Sequence, residues 1–526
     1  MPNAELQEVN LVTASFSVRH ATVDQVALPI IVGLYLFVFL IPIEFSFYIG
    51  QLLITPTRLF LLVLAGPVIF SSITNHKLQS EDVFFIIFIS WVSVAYFYKR
   101  GAAGIEIIGQ TFLEVAISYC VARTYLVTFA QFIRLALILS VTVAILGILA
   151  IPEGISHYRY LHELPQKLTG FDYYISDDTR VGLLRSASTF EHPILFGMFC
   201  ASLFSLAWYS LSSLGARLSH AAFTLMATLL ALSSAALLLL IMQFLLVGIE
   251  KITRPIKRRT MIFGTLLISF VVLIEAVSNR GIIKLIGGTL TFNPHTAYYR
   301  LLQWDYSIDD VRRHPFVGIN FENWTRPFWM TDSIDNHWLF LAMNSGIPAV
   351  FALWIVMGII SVKLYQKKQR TADIGYQKLY MGWLIGTASL FLGAWTVTLF
   401  GKMLPVFMFF LGIGAAMTRL PEEDPSQTEE KALPEALDPK RSSFTRFASE
   451  WKQGVRQNTG TPNAVAHTRN LHSSYSHAPH VLSYTNTSEP KSTTLPKDRR
   501  ASPKARELGS GPKFSRDPFD QKPTKT

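Results

Sequence analysis

The side chains best suited to chemistry in this 526-residue chain are arginines and a few histidines, and most lie in one polar stretch. That stretch runs from Tyr298 to Pro348, YYRLLQWDYSIDDVRRHPFVGINFENWTRPFWMTDSIDNHWLFLAMNSGIP, and carries Arg300, Arg312, Arg313, Arg326, Asp335 and His337. A second set, Arg180, Arg185, Glu191 and His192, closes an earlier polar stretch that ends in RVGLLRSASTFEHPILFG, and Arg280 precedes the later one. Arginine keeps its charge at any working pH and offers a planar fork of donors that grips phosphate oxygens in pairs. Arginines in these numbers point to a pyrophosphate head group held without a metal.

Each of these residues also has a structural reading. The arginines can snorkel to lipid phosphates or pair with Glu191, Asp309 or Asp310. In FEHPILFG and RHPFVGIN the prolines turn the chain or start a helix, which accounts for Pro193 and Pro315 without catalysis by His192 or His314. His337 stands beside Asp335 and Asn336 at the start of an apolar run. There a neutral imidazole can take a proton from a sugar hydroxyl, or simply cap the helix. Glu114, with Gln110 one turn earlier, sits inside an apolar run, so it is either functional or paired with Arg134. No Gly-rich phosphate loop follows a strand, and neither HExxH nor a Ser-His-Asp spacing is present. Cys120 and Cys200 both fall in apolar stretches without ligand spacing, so no metal, disulfide or other cofactor is expected.

The elements that must position these residues are apolar. Half of the residues are hydrophobic (50%) and only 16% charged, the composition of a polytopic membrane protein. The net charge of +11 resides in short connections between apolar runs, where it orients the chain across a bilayer and does not imply nucleic acid. Apolar runs at 26–46, 58–73, 83–98, 104–122, 132–151 and 194–213 each approach the ~20 residues that span a bilayer. The run 219–249 is too long for one crossing. Reading it as two helices meeting near Ser233 and Ser234 places the basic connections EKITRPIKRR and KLYQKKQR on the cytoplasmic side, and both polar stretches outside. The freed backbone at such a break would line a cavity. With runs at 260–277, 337–362, 378–400 and 403–419, the expectation is an all-α polytopic protein of about 12 transmembrane helices.

In this organisation residues 1–25 are a cytoplasmic segment and 26–420 a transmembrane catalytic domain with outer loops at about 152–193 and 278–336. Residues 421–526 form a disordered cytoplasmic tail rich in Pro, Ser, Thr, Lys and Glu. Within the tail Phe444, Phe447, Trp451 and Val455 recur at helical spacing between basic residues, as in an interfacial helix.

The ordered series RSASTFEHPILFG, ALSSAALLLLIMQ, YYRLLQWDYSIDDVRRHPFVGIN and DNHWLFLAMNSGIPA resembles the O-antigen ligase and polymerase family, most closely its rhizobial-type exopolysaccharide polymerases. The similarity covers about Ile54 to Met417. It implies an inverting, metal-independent glycosyltransferase of the bacterial inner membrane. Its site would face the periplasm and act on undecaprenyl-pyrophosphate-linked oligosaccharide, with a chain-length-regulating co-polymerase and a flippase as associated partners. By this resemblance Arg300 with Trp304 matches an R...W element that holds pyrophosphate, and His337 falls near a histidine important in the ligases. Catalytic roles then go to Arg300, His337 and Arg185, and substrate binding to Arg180, Arg280, Trp304, Asp335 and Glu191. Two departures stand out. Many relatives carry Ser-Arg-Gly where this chain has Ser233, Ser234 and Ala235, which leaves Arg185 or Arg180 to replace that arginine; His337 is followed by Trp338 in place of the ligases' usual Asn, and lies closer to Gly346. A ligase that transfers finished polymer is the near alternative. A lipid-linked oligosaccharide flippase is the distant one, disfavoured because no internal repeat is visible and the charge concentrates in loops.

Overall fold

The structure, a computed structural model, describes residues 27–50, 52–75, 77–253, 256, 294–320 and 323–421. The chain divides into units Met1–Leu437 and Asp438–Thr526, and every described residue belongs to the first. The expected span at 260–277, Arg280, and the interfacial helix and tail fall outside the described residues.

The unit is a helical bundle. Its elements are α1 (Ile30–Val38), α2 (Pro56–Asn75), α3 (Ser80–Arg100), α4 (Ile105–Thr111), a π-helical turn (Phe112–Ile117), α5 (Ser118–Tyr125), α6 (Phe129–Ser156) and α7 (Tyr160–Thr169). There follow α8 (Pro193–Ser202), α9 (Phe204–Ser210), α10 (Leu214–Leu230), α11 (Ser234–Ile252), α12 (Pro294–Arg313), α13 (His337–Arg370), α14 (Ile374–Gly393) and α15 (Met403–Met417). Among the described residues six helical segments are long and apolar enough to cross a membrane, by length and composition. This is a helical membrane protein.

Local signals set the boundaries. Gln79 and Asp82 form a capping box at the start of α3, and Lys99 and Arg100 meet the negative end of its dipole. Thr128 and Gln131 form another at α6. Ser213, Ser233 and Asn336 cap α10, α11 and α13 through their side-chain oxygens.

The expected break in 219–249 is present: α10 ends at Leu230 and α11 begins at Ser234, with Leu232 at φ 46 between them. The freed carbonyls do not line a cavity, however. Leu230 O accepts from Ser186 N (3.0 Å) and Leu232 O from Arg180 (2.9 Å), so the first polar loop satisfies the break. Other expectations need correction. The run 26–46 is not one helix, because Pro42 follows the end of α1 and leads into a 3₁₀ turn (Ile43–Phe45) and a hairpin, β1 (Phe47–Ile49) with β2 (Leu52–Ile54). The outer loops are also not irregular throughout. The first holds α7 and a small hairpin, β3 (Thr179–Arg180) with β4 (Leu183–Leu184); the second holds the whole of α12. Glu114, read as either functional or paired with Arg134, pairs with Arg58 (2.6 Å), because α2 packs against the π-helical turn.

Buried charges mark the two ends of the bundle. At one end, Asp82 binds Arg123 through two hydrogen bonds and Tyr119 OH (3.0 Å), while Glu81 takes Lys363 (2.5 Å) and Thr418 (2.8 Å). These bonds tie together α3, α5, α13 and the end of α15. The basic residues Lys367, Lys368 and Arg370 close α13 at this same end. About 26 Å along α3 from Asp82, at 1.5 Å per residue, Lys99 donates to Ile319 O (3.0 Å) and to Asn344 O. The polar loops gather at this second end.

There α13 is interrupted. Gly346 adopts φ 79 and ψ 168, and the chain from Pro315 to Ile319 lies across the gap, with Ile347 N donating to Pro315 O (2.8 Å) and Ile319 N to Met343 O (2.6 Å). Trp91 Nε1 reaches the carbonyls of Phe316 (3.1 Å) and Ser345 (3.0 Å). The approach is so close that a Cβ on Gly346 would lie 1.8 Å from Phe316 O, and one on Gly318 2.2 Å from Met343 O. The glycines of the HPFVGIN and NSGIP segments thus serve one interlock, which fixes the end of α12 against α13.

Candidate functional site

The first loop is organised by a saturated ion pair. Glu153, in the last turns of α6, accepts from Arg159 (2.5 Å) and from the amides of Ala187 (3.0 Å) and Ser188 (2.9 Å). Arg159 also bonds Asp177 (3.1 Å), Ser176 O (2.7 Å) and Arg185 O (3.2 Å), leaving little donor capacity for a ligand. Arg159 is therefore scaffold.

Arg185 and Arg180 are placed differently. Arg180 spends one nitrogen on Leu232 O. Arg185 is only 5% exposed, and among the described residues its guanidinium meets one partner, the half-open Asp178 at 3.4 Å. Its Nε is buried without a partner. Burial and the positive charges of Arg180 and Arg159 bring its acidity to about 10, Asp178 opposing the shift. His192 caps α8 by accepting from Ile194 N (3.1 Å), and burial with the Arg185 charge pushes its imidazole down to about 4. It is neutral at ordinary pH. These residues together make a partly desolvated positive cluster with an unused donor, the arrangement that recruits an anion.

The second group forms on α12. Tyr299, Arg300 and Gln303 fasten the segment 331–335 along the helix. Tyr299 OH contacts Thr331 Oγ1 (2.8 Å), Arg300 Nε donates to Asp335 (3.3 Å), and Gln303 bridges Ser333 O (2.8 Å) and Asp335 N (3.1 Å). Trp304, one turn beyond Arg300, is half-buried with its ring 6.1 Å from that of Trp395. Arg312 and Arg313 pair with Asp309 (3.1 Å) and Asp310 (2.6 Å), and Arg326 bonds Met330 O (3.2 Å), so these three follow the structural reading.

The two groups meet through a connection that sequence reasoning assigned no role, residues 394–402 between α14 and α15. His337 N donates to Ala394 O (2.8 Å), and His337 Nδ1 accepts from Leu399 N (3.4 Å). The second bond fixes the tautomer with the proton on Nε2. Thr398 Oγ1 donates to Ile334 O. Toward the other group, Phe400 lies 6.3 Å from the His192 ring and Lys402 N reaches Glu191 (3.4 Å). Lys402 is itself buried, its ammonium on the carbonyls of Phe39 (3.3 Å), Ile41 (2.7 Å) and Thr189. Burial pushes it down to about 8, with Glu191 and Glu44 opposing.

Of the residues expected from sequence, Arg180, Arg185, Arg300, Trp304, Asp335, Glu191 and His337 all come to the same end of the bundle. Among the described residues Glu191 forms no ion pair with a loop arginine. It faces the start of α15, because Gly401 and Lys402 approach it first. The missed residues are Lys402, Asp178, Glu153, Arg159 and Trp395. Lys402 had a visible signal, as the one charge between Leu379 and Thr418. Among the described residues no group of three or more His, Cys, Asp or Glu is placed to hold a metal ion. No protein-family model matches the chain, and no curated protein matches it.

Proposed function

We propose that this chain is a membrane-embedded glycosyltransferase that extends a polysaccharide from sugars carried on a polyprenyl pyrophosphate. The observation that carries the reading is the convergence of two underused arginines. Arg185 and Arg300 come from different loops, each meets one carboxylate among the described residues, and both loops end on the same connection at 394–402. In this reading the chain makes about twelve crossings, with the basic residues that close α13 on the cytoplasmic side. The loops then face the outer side of the bacterial inner membrane, where lipid-linked sugars would be extended.

In this mechanism an acceptor hydroxyl attacks the anomeric carbon from the face opposite the pyrophosphate. The C–O bond to the pyrophosphate breaks with inversion, the leaving group departs with the electron pair, and the hydroxyl proton is released to solvent. Arginine donors stabilise its developing charge, and loss of one such donor costs on the order of 100-fold in rate. No metal is required by this reading. Arg185→Ala and Arg300→Ala are each expected to abolish polymer while protein remains in the membrane at wild-type level. The companion readout is a lipid extract of a deletion strain. Accumulated single repeat units support a polymerase, accumulated full-length lipid-linked polymer would make the chain a ligase, and normal polymer from both arginine variants would end the glycosyltransferase reading.

A further inference from the structure

The two arginine groups differ in what surrounds them. Arg185 lies among Arg159, Arg180 and the cap of α8, with a buried, unused Nε and one exposed carboxylate at 3.4 Å. Its surroundings are positive. Arg300 has Asp335 at 3.3 Å, the carboxamide of Gln303 bound to the same segment, and two half-buried indoles, Trp304 and Trp395, 6.1 Å apart and tilted by 38°. Trp354 backs Trp395 at 6.0 Å and stands edge-on to Trp338, so the pair rests on a rigid aromatic stack.

An aromatic face flanked by a planar carboxylate and a guanidinium suits a pyranose. The ring packs against the C–H face of the sugar, and the polar groups accept from and donate to its hydroxyls. A dianionic pyrophosphate is better matched at Arg185, where the charges of Arg180 and Arg159 add to its own against the single Asp178.

We propose that Trp304 and Trp395, with Arg300 and Asp335, form a saccharide-binding subsite for the acceptor, while Arg180 and Arg185 take the pyrophosphate of the donor. The assignment rests on the glycosyltransferase reading and divides its site in two. The connection 394–402 is the floor between the halves, with Trp395 at one end and Phe400, beside His192, at the other. Five residues separate these two, so they stand at most about 18 Å apart, at 3.3–3.6 Å per residue. A sugar joined to a pyrophosphate fits within that reach, between the anchor of the second loop at Thr398 and Leu399 and that of the first at Phe400 and Lys402.

The test uses full-length protein in lipid nanodiscs and two probes. Farnesyl pyrophosphate reports the donor half, and oligosaccharides released by mild acid from the source organism's own polysaccharide report the acceptor half, both by calorimetry with tryptophan fluorescence alongside. Arg185→Ala and Arg180→Ala are expected to weaken farnesyl pyrophosphate at least tenfold and leave oligosaccharide binding within twofold. Trp395→Ala, Trp304→Ala and Arg300→Ala are expected to show the reverse, and Trp395→Phe, which keeps an aromatic face, retains most of the affinity. Thermal unfolding of each variant verifies the fold, and the Phe variant carries the test if the Ala variant is unstable. The assignment is overturned if Arg300→Ala weakens farnesyl pyrophosphate as much as Arg185→Ala does, or if the wild-type protein binds no oligosaccharide. These results leave the glycosyltransferase reading standing, whereas wild-type protein that binds neither probe, together with normal polymer from Arg185→Ala, removes both.

Discussion

Replacing Gly346 with alanine tests how the second loop is held, and its effect follows from the geometry. At φ 79 and ψ 168 the residue occupies a region essentially closed to other amino acids, a strain of roughly 1–3 kcal/mol. The new Cβ would also stand 1.8 Å from Phe316 O, a backbone atom that can retreat only if the segment 315–319 lifts away. Lifting it breaks the bonds from Ile347 N to Pro315 O and from Ile319 N to Met343 O, each worth roughly 0.5–1.5 kcal/mol net. It also strips Trp91 and Lys99 of one carbonyl each. The strain and the two backbone bonds sum to roughly 2–6 kcal/mol, which rivals the whole stability of a typical fold. Gly358, farther along α13, is the control, since a Cβ there meets nothing within 4 Å. Thermal unfolding in detergent should place Gly358→Ala near wild type and Gly346→Ala far below it. Coincident transitions for the two variants would refute the interlock.

Two further outcomes concern the ends of the bundle. Asp82→Asn leaves the Arg123 guanidinium buried without its counter-charge and should cost about 3–5 kcal/mol. Adding Arg123→Met should recover much of that loss, and a single variant as stable as wild type would remove the pair from any structural role. At the other end, the unfolded chain holds the Lys402 proton up to about 10.5, whereas the folded chain releases it near 8. Between these values the unfolded state binds more protons, so stability rises with pH across that window, by on the order of 3 kcal/mol. The stability difference between wild type and Lys402→Met should therefore grow from pH 8 to 10.5; a flat difference contradicts a buried, titrating ammonium.

The apolar runs were legible because a bilayer demands a long apolar stretch for each crossing. The break at Ser233 was legible because charge placement left only one consistent topology. The hairpin after α1 was not, since Phe47, Tyr48 and Ile49 are as apolar as a helix and only Pro42 marks the change. Nor was α12, a helix made of polar and aromatic residues whose partners are 30 or so positions later in the chain. Arg312 and Arg313 show the same limit from the other side. They are identical in type to Arg185, and only the presence of Asp309 and Asp310 one turn back separates a surface ion pair from a free donor.

Lys402 shows what an arginine-led reading leaves out. A charge count favours loops with many cations, yet this single buried ammonium joins the end of α1 and the first loop by its side chain, and Glu191 by its amide. His337 does the corresponding work for the second loop, through Ala394 and Leu399. Both act on the connection 394–402 rather than on one another, so the positions of Arg185 and Arg300 are each set relative to the same nine residues. A change that shortens or stiffens this connection must therefore alter the two arginines together. Its effect cannot be reproduced by any substitution confined to one loop.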